Sequence, residues 1–154
     1  MTTGHEVALA LRAAYLALHR QTNACFAEDG VTADQFVLLA ALADADGVTQ
    51  QELVRRVGSD PSTVRAMLQL LEGRGLVARE RHPADGRARR VTLTRKGRRA
   101  YEKLWAKSEP LRAQLLATLR PDEVTALLRL LRRVAEVMAP PAGGGSRAAR
   151  EPNP

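Results

Sequence analysis

Residues Leu76–Gly97 read LVARERHPADGRARRVTLTRKG. Asp85-Gly86 is a turn dipeptide, and Val91-Thr92-Leu93-Thr94 alternates apolar and β-branched polar residues as a half-buried strand does. The stretch is therefore predicted to form a β-hairpin. Its tip and the approaches to it carry four arginines: Arg81, Arg87, Arg89 and Arg90. Like charges placed this close repel one another, and phosphates along the hairpin or in a narrow groove would offset that cost. A hairpin that only covers a core has no such compensation.

The net charge is concentrated in and just after this hairpin. The chain has 24 Lys and Arg against 17 Asp and Glu, a net charge of +7. Between Arg79 and Lys103 there are ten basic and three acidic residues, so this segment accounts for the whole excess. Such localisation favours a polyanion-binding surface, and the alternative is an ordinary solvated charged face.

Length and composition fit one domain of 154 residues, 45% of them hydrophobic. The single cysteine, Cys25, excludes an internal disulfide and fits a reducing compartment. The sequence shows no secretion signal and no membrane-length apolar run, so we expect a soluble cytoplasmic protein without a membrane partner. No catalytic motif or metal-ligand spacing is present, which predicts a protein that is not an enzyme and has no cofactor or metal.

Capping signals divide the first half of the chain into helices. Three segments match the capping-box pattern, in which a hydroxyl and a side chain three residues later satisfy each other's free backbone amides. They predict a first helix to about Ala27, a second over Ala33–Ala43 and a third from Gln50 to about Val57. The three segments are Thr3-Gly4-His5-Glu6, Thr32-Ala33-Asp34-Gln35 and Thr49-Gln50-Gln51-Glu52.

The fourth predicted helix has an N-cap at Asp60 and Pro61 at its first position, where a missing amide does no harm. Its apolar residues fall on one face at helical spacing: Val64, Met67, Leu68 and Leu71. Its opposite face carries short or hydrogen-bonding side chains that suit close approach to base edges: Ser62, Thr63, Arg65 and Gln69. The alternative is an ordinary solvated face, although such faces usually carry Glu-Lys pairs and this one has no acidic residue before Glu72.

A helical pattern follows Thr94 to about Leu119, with a kink or break expected at Pro110. Another helix, rich in leucine, is predicted from Pro121 to Met138. Residues 139–154 are Pro-Gly-Ala-Arg rich and are predicted to be disordered.

A short helix, a glycine-containing turn, a second helix with a polar outer face and a basic hairpin together indicate a winged helix-turn-helix. The sequence resembles the MarR (multiple-antibiotic-resistance regulator) family of transcription factors. The resemblance covers about Thr32–Gly97 in detail and extends to about Met138 in helix layout. Its carriers are Thr49-Gln50-Gln51-Glu52-Leu53, Asp60-Pro61-Ser62-Thr63-Val64, Leu70-Leu71-Glu72-Gly73-Arg74-Gly75-Leu76-Val77 and the wing pattern Asp85-x-Arg87-x-x-x-Val91-x-Leu93-Thr94-x-x-Gly97.

The resemblance implies a mainly α fold with a small β-hairpin wing, in which dimerisation helices at 1–31 and 98–138 flank a DNA-binding lobe at 32–97. It implies a homodimer on a pseudo-palindromic double-stranded DNA operator, more commonly as a repressor than as an activator. The helix residues Ser62, Thr63, Arg65 and Gln69 would touch bases or nearby phosphates. The wing residues would follow the backbone, with Arg87 entering the minor groove and Asp85 orienting it or a neighbouring arginine: Asp85, Arg87, Arg89 and Arg90.

Two further hypotheses concern regulation. Many family members release DNA when a small aromatic or phenolic effector binds, and the few aromatic residues here allow such a site without specifying it. Cys25 is either a redox sensor or a buried structural cysteine, and its place late in the first helix favours the structural role. The competing function is a winged-helix module that binds protein or RNA without operator-specific DNA binding.

Overall fold

The fold consists of helices and a small sheet, each defined by its backbone hydrogen bonds. The structure is a computed structural model that describes residues 3–45, 47–81, 84 and 89–139. Its elements follow one another as α1 (Gly4–Phe26), a 3₁₀ turn (Ala27–Asp29), α2 (Ala33–Ala43), β1 (Val48–Thr49), α3 (Gln50–Val57), α4 (Pro61–Gly73), β2 (Val77–Arg81), β3 (Arg89–Leu93), α5 (Arg95–Lys107), α6 (Glu109–Ala117) and α7 (Pro121–Met138).

Two of the three predicted capping boxes are complete. Thr3 and Glu6 satisfy each other's backbone amides at the start of α1, as Thr32 and Gln35 do at α2. At α3 the Thr49 side chain accepts from the amide of Glu52, but the Glu52 carboxylate binds Arg56 one turn later. The third box is therefore only half formed, because an ion pair takes its second partner.

The break expected at Pro110 falls two residues earlier. Helix α5 ends at Lys107, Ser108 is its C-cap, and Pro110 is the second residue of α6. Proline lacks an amide and disfavours the helical conformation in the residue before it, so it is tolerated in a first turn and not inside a helix. The chain thus ends one helix and starts another, and the amide of Arg112 donates to the Ser108 carbonyl oxygen at 3.1 Å.

The sheet has a third strand that the sequence did not predict. Its order is β1-β3-β2, antiparallel throughout, and the register places Val48 opposite Val91 and Val77 opposite Leu93. Val91 is fully buried at the centre of this sheet. The sheet packs over α2, α3 and α4, and the shared core consists of Phe26, Val31, Leu38, Leu39, Leu42, Val48, Leu53, Val64, Leu68, Leu71, Leu76, Val77, Val91 and Leu104.

The chain divides into two units between Ala113 and Gln114. The first unit contains this core, the sheet and helices α1 to α5. The described part of the second unit contains the end of α6 and the whole of α7, whose large apolar side chains are exposed: Leu127, Leu128, Leu130, Leu131, Val134, Val137 and Met138.

Candidate nucleic-acid interface

The N-terminal end of α4 is organised around the carboxylate of Asp60. Its Oδ1 accepts from the Ser62 hydroxyl at 2.6 Å and from the Thr63 amide at 2.9 Å, and its Oδ2 accepts from the Thr63 hydroxyl at 2.6 Å. The hydroxyl of Ser62, followed by the hydroxyl and amide of Thr63, holds the pKa of Asp60 well below its ordinary value. Asp60 is therefore an ionised N-cap that also fixes two of the predicted base-contacting side chains.

The predicted outer face of α4 is exposed along its length. Val64, Leu68 and Leu71 are fully buried on the inner face, as the spacing predicted. The outer face presents Ser62, Thr63, Arg65, Ala66 and Gln69 to solvent. The side chains of Arg65 and Gln69 make no hydrogen bond or ion pair with the part of the chain that the structure describes. This face can therefore approach a duplex without first breaking contacts of its own.

The wing strands carry basic side chains in two different settings. Arg89 is exposed opposite Arg81 across the hairpin, where the two like charges face each other. Arg90 is half-buried, and its side chain lies across Gly47 in the loop before β1, so tightly that a Cβ there would overlap it. Glycine at 47, with a φ of 94°, makes room for this packing. The predicted tip residues Asp85 and Arg87 lie outside the described residues.

The C-terminal end of α4 is tied to the turn after α1. The guanidinium of Arg74 donates to the carbonyl oxygens of Gly30 at 2.6 Å and Asp29 at 3.0 Å. Lys96 at the start of α5 donates to the Arg74 carbonyl at 2.8 Å. These contacts join residues up to 45 positions apart, and no local pattern in the sequence indicates them. They fix the C-terminal end of α4 against the turn after α1 and against α5.

Asp29 is the centre of a second polar cluster. Its side chain is only 10% exposed and accepts from Lys103 at 2.6 Å and Lys107 at 2.7 Å. These hydrogen bonds, that of Lys103 first, lower the pKa of Asp29, and the bond to Asp29 raises the pKa of Lys107. Cys25 is half-buried against the core, with its Sγ donating to the Lys107 carbonyl oxygen at 3.6 Å.

A row of aromatic rings runs from the core towards solvent. Successive ring centroids from Phe26 to Phe36, Tyr101 and Trp105 are 4.9, 5.8 and 6.0 Å apart. Burial raises the pKa of the Tyr101 phenol. Trp105 is 47% exposed, and the Arg112 guanidinium lies 3.7 Å from its ring centroid. The row therefore ends in an accessible aromatic surface with a cation stacked on it.

Within the ranges that the structure describes, no three His, Cys, Asp or Glu side chains come together as a metal site requires. Among the same residues, no helix has the length and apolar character needed to cross a membrane.

The chain is similar in sequence to one family of known proteins. A family model described as the MarR family matches residues 29–88. The transcriptional regulator HosA of Escherichia coli O111:H- is 32% identical over 104 residues, which cover 68% of this chain and 77% of HosA. The chain belongs to the MarR family.

Other members of the MarR family agree with this assignment. YdgJ of Bacillus subtilis (strain 168), an HTH-type transcriptional regulator, is 32% identical over 105 residues, which cover 68% of this chain and 64% of YdgJ. The transcriptional repressor CouR bound to a 23-mer DNA duplex has a TM-score of 0.74 and 31% identity, over 88% of this chain and 99% of CouR. BpsR of Bordetella bronchiseptica has a TM-score of 0.78 and 31% identity, over 88% of this chain and 97% of BpsR. The protein is a winged helix-turn-helix transcriptional regulator of the MarR type.

Proposed function

We propose that this protein is a cytoplasmic, homodimeric repressor that binds a pseudo-palindromic DNA operator and releases it when a small aromatic acid binds. The observation that carries the proposal is the exposed outer face of α4, which has no acidic side chain between Ser62 and Gln69 and lies beside a basic wing. A helix of this kind fits the major groove of B-form DNA, which is wide enough to admit it. The similarity to CouR, which is a repressor bound to a 23-mer DNA duplex, supports duplex DNA as the partner.

Base readout is assigned to four α4 side chains: Ser62, Thr63, Arg65 and Gln69. Backbone contact is assigned to the wing arginines Arg89 and Arg90. Arg87 is assigned to the minor groove, with Asp85 orienting it or a neighbouring arginine. Arg65→Ala or Gln69→Ala should reduce discrimination between bases by about 1–3 kcal/mol if either side chain makes a bidentate contact. Arg89→Gln should weaken binding to every duplex and lower the slope of log K against log salt by about 0.9 for each lost phosphate contact.

The test uses DNA from upstream of the protein's own gene, with binding measured by fluorescence anisotropy at several salt concentrations. RNA of the same sequence serves as the competitor, because the deep, narrow major groove of A-form RNA excludes a recognition helix. Arg120→Gln is the matched control, since it removes one charge outside the helix-turn-helix and the wing. Equal affinity for DNA and RNA, or a salt slope that Arg89→Gln and Arg120→Gln change equally, would favour the alternative of an RNA- or protein-binding module.

Dimerisation is supported by the apolar surface of α7, where Leu128 is 48% and Leu131 is 39% exposed. Contiguous exposed apolar surface is typical of protein interfaces. We expect Leu131→Glu to convert a dimer to a monomer in sedimentation-velocity runs. Leu70→Glu, at a position 60% exposed on α4, is the control and should leave the dimer intact. A monomeric wild type would refute this part of the proposal.

The aromatic row supports an effector of aromatic acid type, because the cation of Arg112 stands over the exposed ring of Trp105. The structure of BpsR concerns regulation of its DNA binding by 6-hydroxynicotinic acid. Salicylate and 6-hydroxynicotinate should therefore be titrated into the protein–DNA complex and release followed by anisotropy. Trp105→Ala should still bind DNA but lose the response. Full release from the Trp105→Ala protein would exclude this site.

A further inference from the structure

The hydroxyl groups of Ser62 and Thr63 each have a forced hydrogen-bond direction. Both lie 2.6 Å from oxygens of the Asp60 carboxylate. An ionised carboxylate only accepts hydrogen bonds, so each hydroxyl must donate its single proton to Asp60. Aspartate has an ordinary pKa of about 4, and these hydrogen bonds lower it further, so the carboxylate is ionised at neutral pH. Each hydroxyl is then left with lone pairs alone on its outward side.

We propose that Asp60 is a positioning residue for sequence recognition, because it turns Ser62 and Thr63 into hydrogen-bond acceptors towards DNA. This inference rests on the proposed function, since it assumes that α4 lies in the major groove. The hydrogen-bond donors that bases present in that groove are the exocyclic amino groups of cytosine and adenine. Every base pair has one such group, on one of its two strands. The two hydroxyls therefore select cytosine or adenine over guanine or thymine on the strand that they face.

The same geometry argues against phosphate contacts by these two hydroxyls. Phosphate oxygens are acceptors, and a hydroxyl whose proton is held by Asp60 has nothing to donate to them. The carboxylate charge near the DNA also opposes non-specific binding. Asp60 thus lowers the affinity for DNA of any sequence and increases the discrimination between bases.

The substitution Asp60→Asn separates this role from helix capping. Asparagine caps a helix about as well as aspartate, so α4 keeps its start. Its Oδ1 still accepts from the Thr63 amide and the Ser62 hydroxyl. The group that replaces Oδ2 is an NH₂, which donates to the oxygen of the Thr63 hydroxyl. The proton of that hydroxyl is then free to point outwards. Asp60→Asn should therefore reverse the hydrogen-bond role of Thr63 and leave that of Ser62 unchanged.

The experiment selects from a randomised double-stranded DNA pool with full-length wild type, Asp60→Asn, Thr63→Val and the double variant. The dissociation constants of duplexes carrying each base at the selected positions are then measured. For the wild type we expect cytosine or adenine to be preferred at the Thr63 position by roughly 3- to 10-fold, the range of one net hydrogen bond. In Asp60→Asn the preference at that position should move to guanine or thymine, while the other positions keep theirs.

Thr63→Val removes the hydroxyl and should remove the preference at the same position. In that background Asp60→Asn should change no base preference. The ratio between bases is the decisive quantity, because a loss of folding or of overall affinity affects all duplexes alike. If the wild type selects a sequence and Asp60→Asn selects the same one, only weaker, then this inference is wrong and the proposed function stands. A wild type that selects no sequence would overturn both.

Discussion

Gly97 is the position where one added methyl group should do most damage to the wing. It is buried in the first turn of α5, and a Cβ there would overlap the carbonyl oxygen of Leu76 and lie 2.8 Å from its carbonyl carbon. That oxygen accepts from the Thr94 amide at 3.1 Å, and the Thr94 hydroxyl accepts from the Gly97 amide at 2.9 Å and donates to the Gly75 carbonyl at 2.6 Å. The obstacle is backbone, which cannot rotate away.

Gly97→Ala must therefore move α5 away from the start of the wing. Overpacking a well-packed site costs about 1–3 kcal/mol, and the disturbed hydrogen bonds add about 1 kcal/mol each. We expect the free energy of unfolding to fall by about 3 kcal/mol or more. For a chain of this size, that corresponds to a lowering of Tm by roughly 6–12 °C.

The measurement is urea and thermal unfolding followed by circular dichroism, at one fixed protein concentration because a dimer's stability depends on it. Gly73→Ala is the matched control: it makes the same change at the last residue of α4, where a Cβ would meet no atom within 4 Å. Alanine favours helix over glycine, so this variant should gain up to about 1 kcal/mol. If Gly97→Ala unfolds within about 0.5 kcal/mol of the wild type, the close approach of α5 to Leu76 is not a constraint and the reasoning fails.

Three other substitutions have definite expected results. Asp29→Asn should lower the free energy of unfolding by about 1 kcal/mol at neutral pH, because its charged hydrogen bonds are lost. Since the folded pKa of Asp29 is lowered, the wild type alone should lose this contribution as pH falls from about 4 through that folded value. Parallel pH profiles of stability for the two proteins would contradict a stabilising role of the Asp29 cluster. Arg74→Ala should lower unfolding free energy by about 1 kcal/mol, and Arg74→Lys should restore only part of it since an ammonium lacks the planar fork; full recovery would count against the bidentate link to the turn at Gly30. In Gly47→Ala, a residue with a side chain would have to adopt a φ of 94° and its Cβ would overlap Arg90. The free energy of unfolding, measured by chemical denaturation, should fall by about 1–3 kcal/mol, and Arg90→Ala should restore part of it.

Much of the fold could be predicted because its helix boundaries are decided by adjacent residues. Capping and proline signals are local, and the predicted limits of α2, Ala33–Ala43, and α3, Gln50–Val57, match the structure. The N-cap Asp60 and the buried face of α4 are confirmed as well. Strand β1 was missed because two residues, Val48 and Thr49, carry no periodic pattern, and they become a strand only by pairing with β3.

The parts of the site that escaped prediction depend on distant contacts. The hydroxyl residues of α4 could be placed on its outer face from spacing alone, but not their hydrogen-bond direction, which depends on the carboxylate of Asp60. The link from Arg74 to Gly30 spans 44 positions, and a sequence pattern does not bring such residues together. The packing of Arg90 over Gly47 is of the same kind. Long-range placement of polar side chains is the information that only the folded chain supplies.

The positive charge that first indicated a polyanion partner now divides into two groups with different roles. Some cations stabilise the fold: Arg79 pairs with Glu72 at 2.9 Å, Lys96 binds the end of α4 and Lys103 binds Asp29. Others have side chains without a hydrogen bond or ion pair in the described parts of the chain: Arg81, Arg89, Arg95, Arg98 and Arg99. Among the described residues of the segment, this second group can neutralise phosphates without giving up a hydrogen bond or ion pair within the protein. Net charge therefore overstates the phosphate-binding capacity of the segment, and the salt dependence of binding should follow the number of these free arginines.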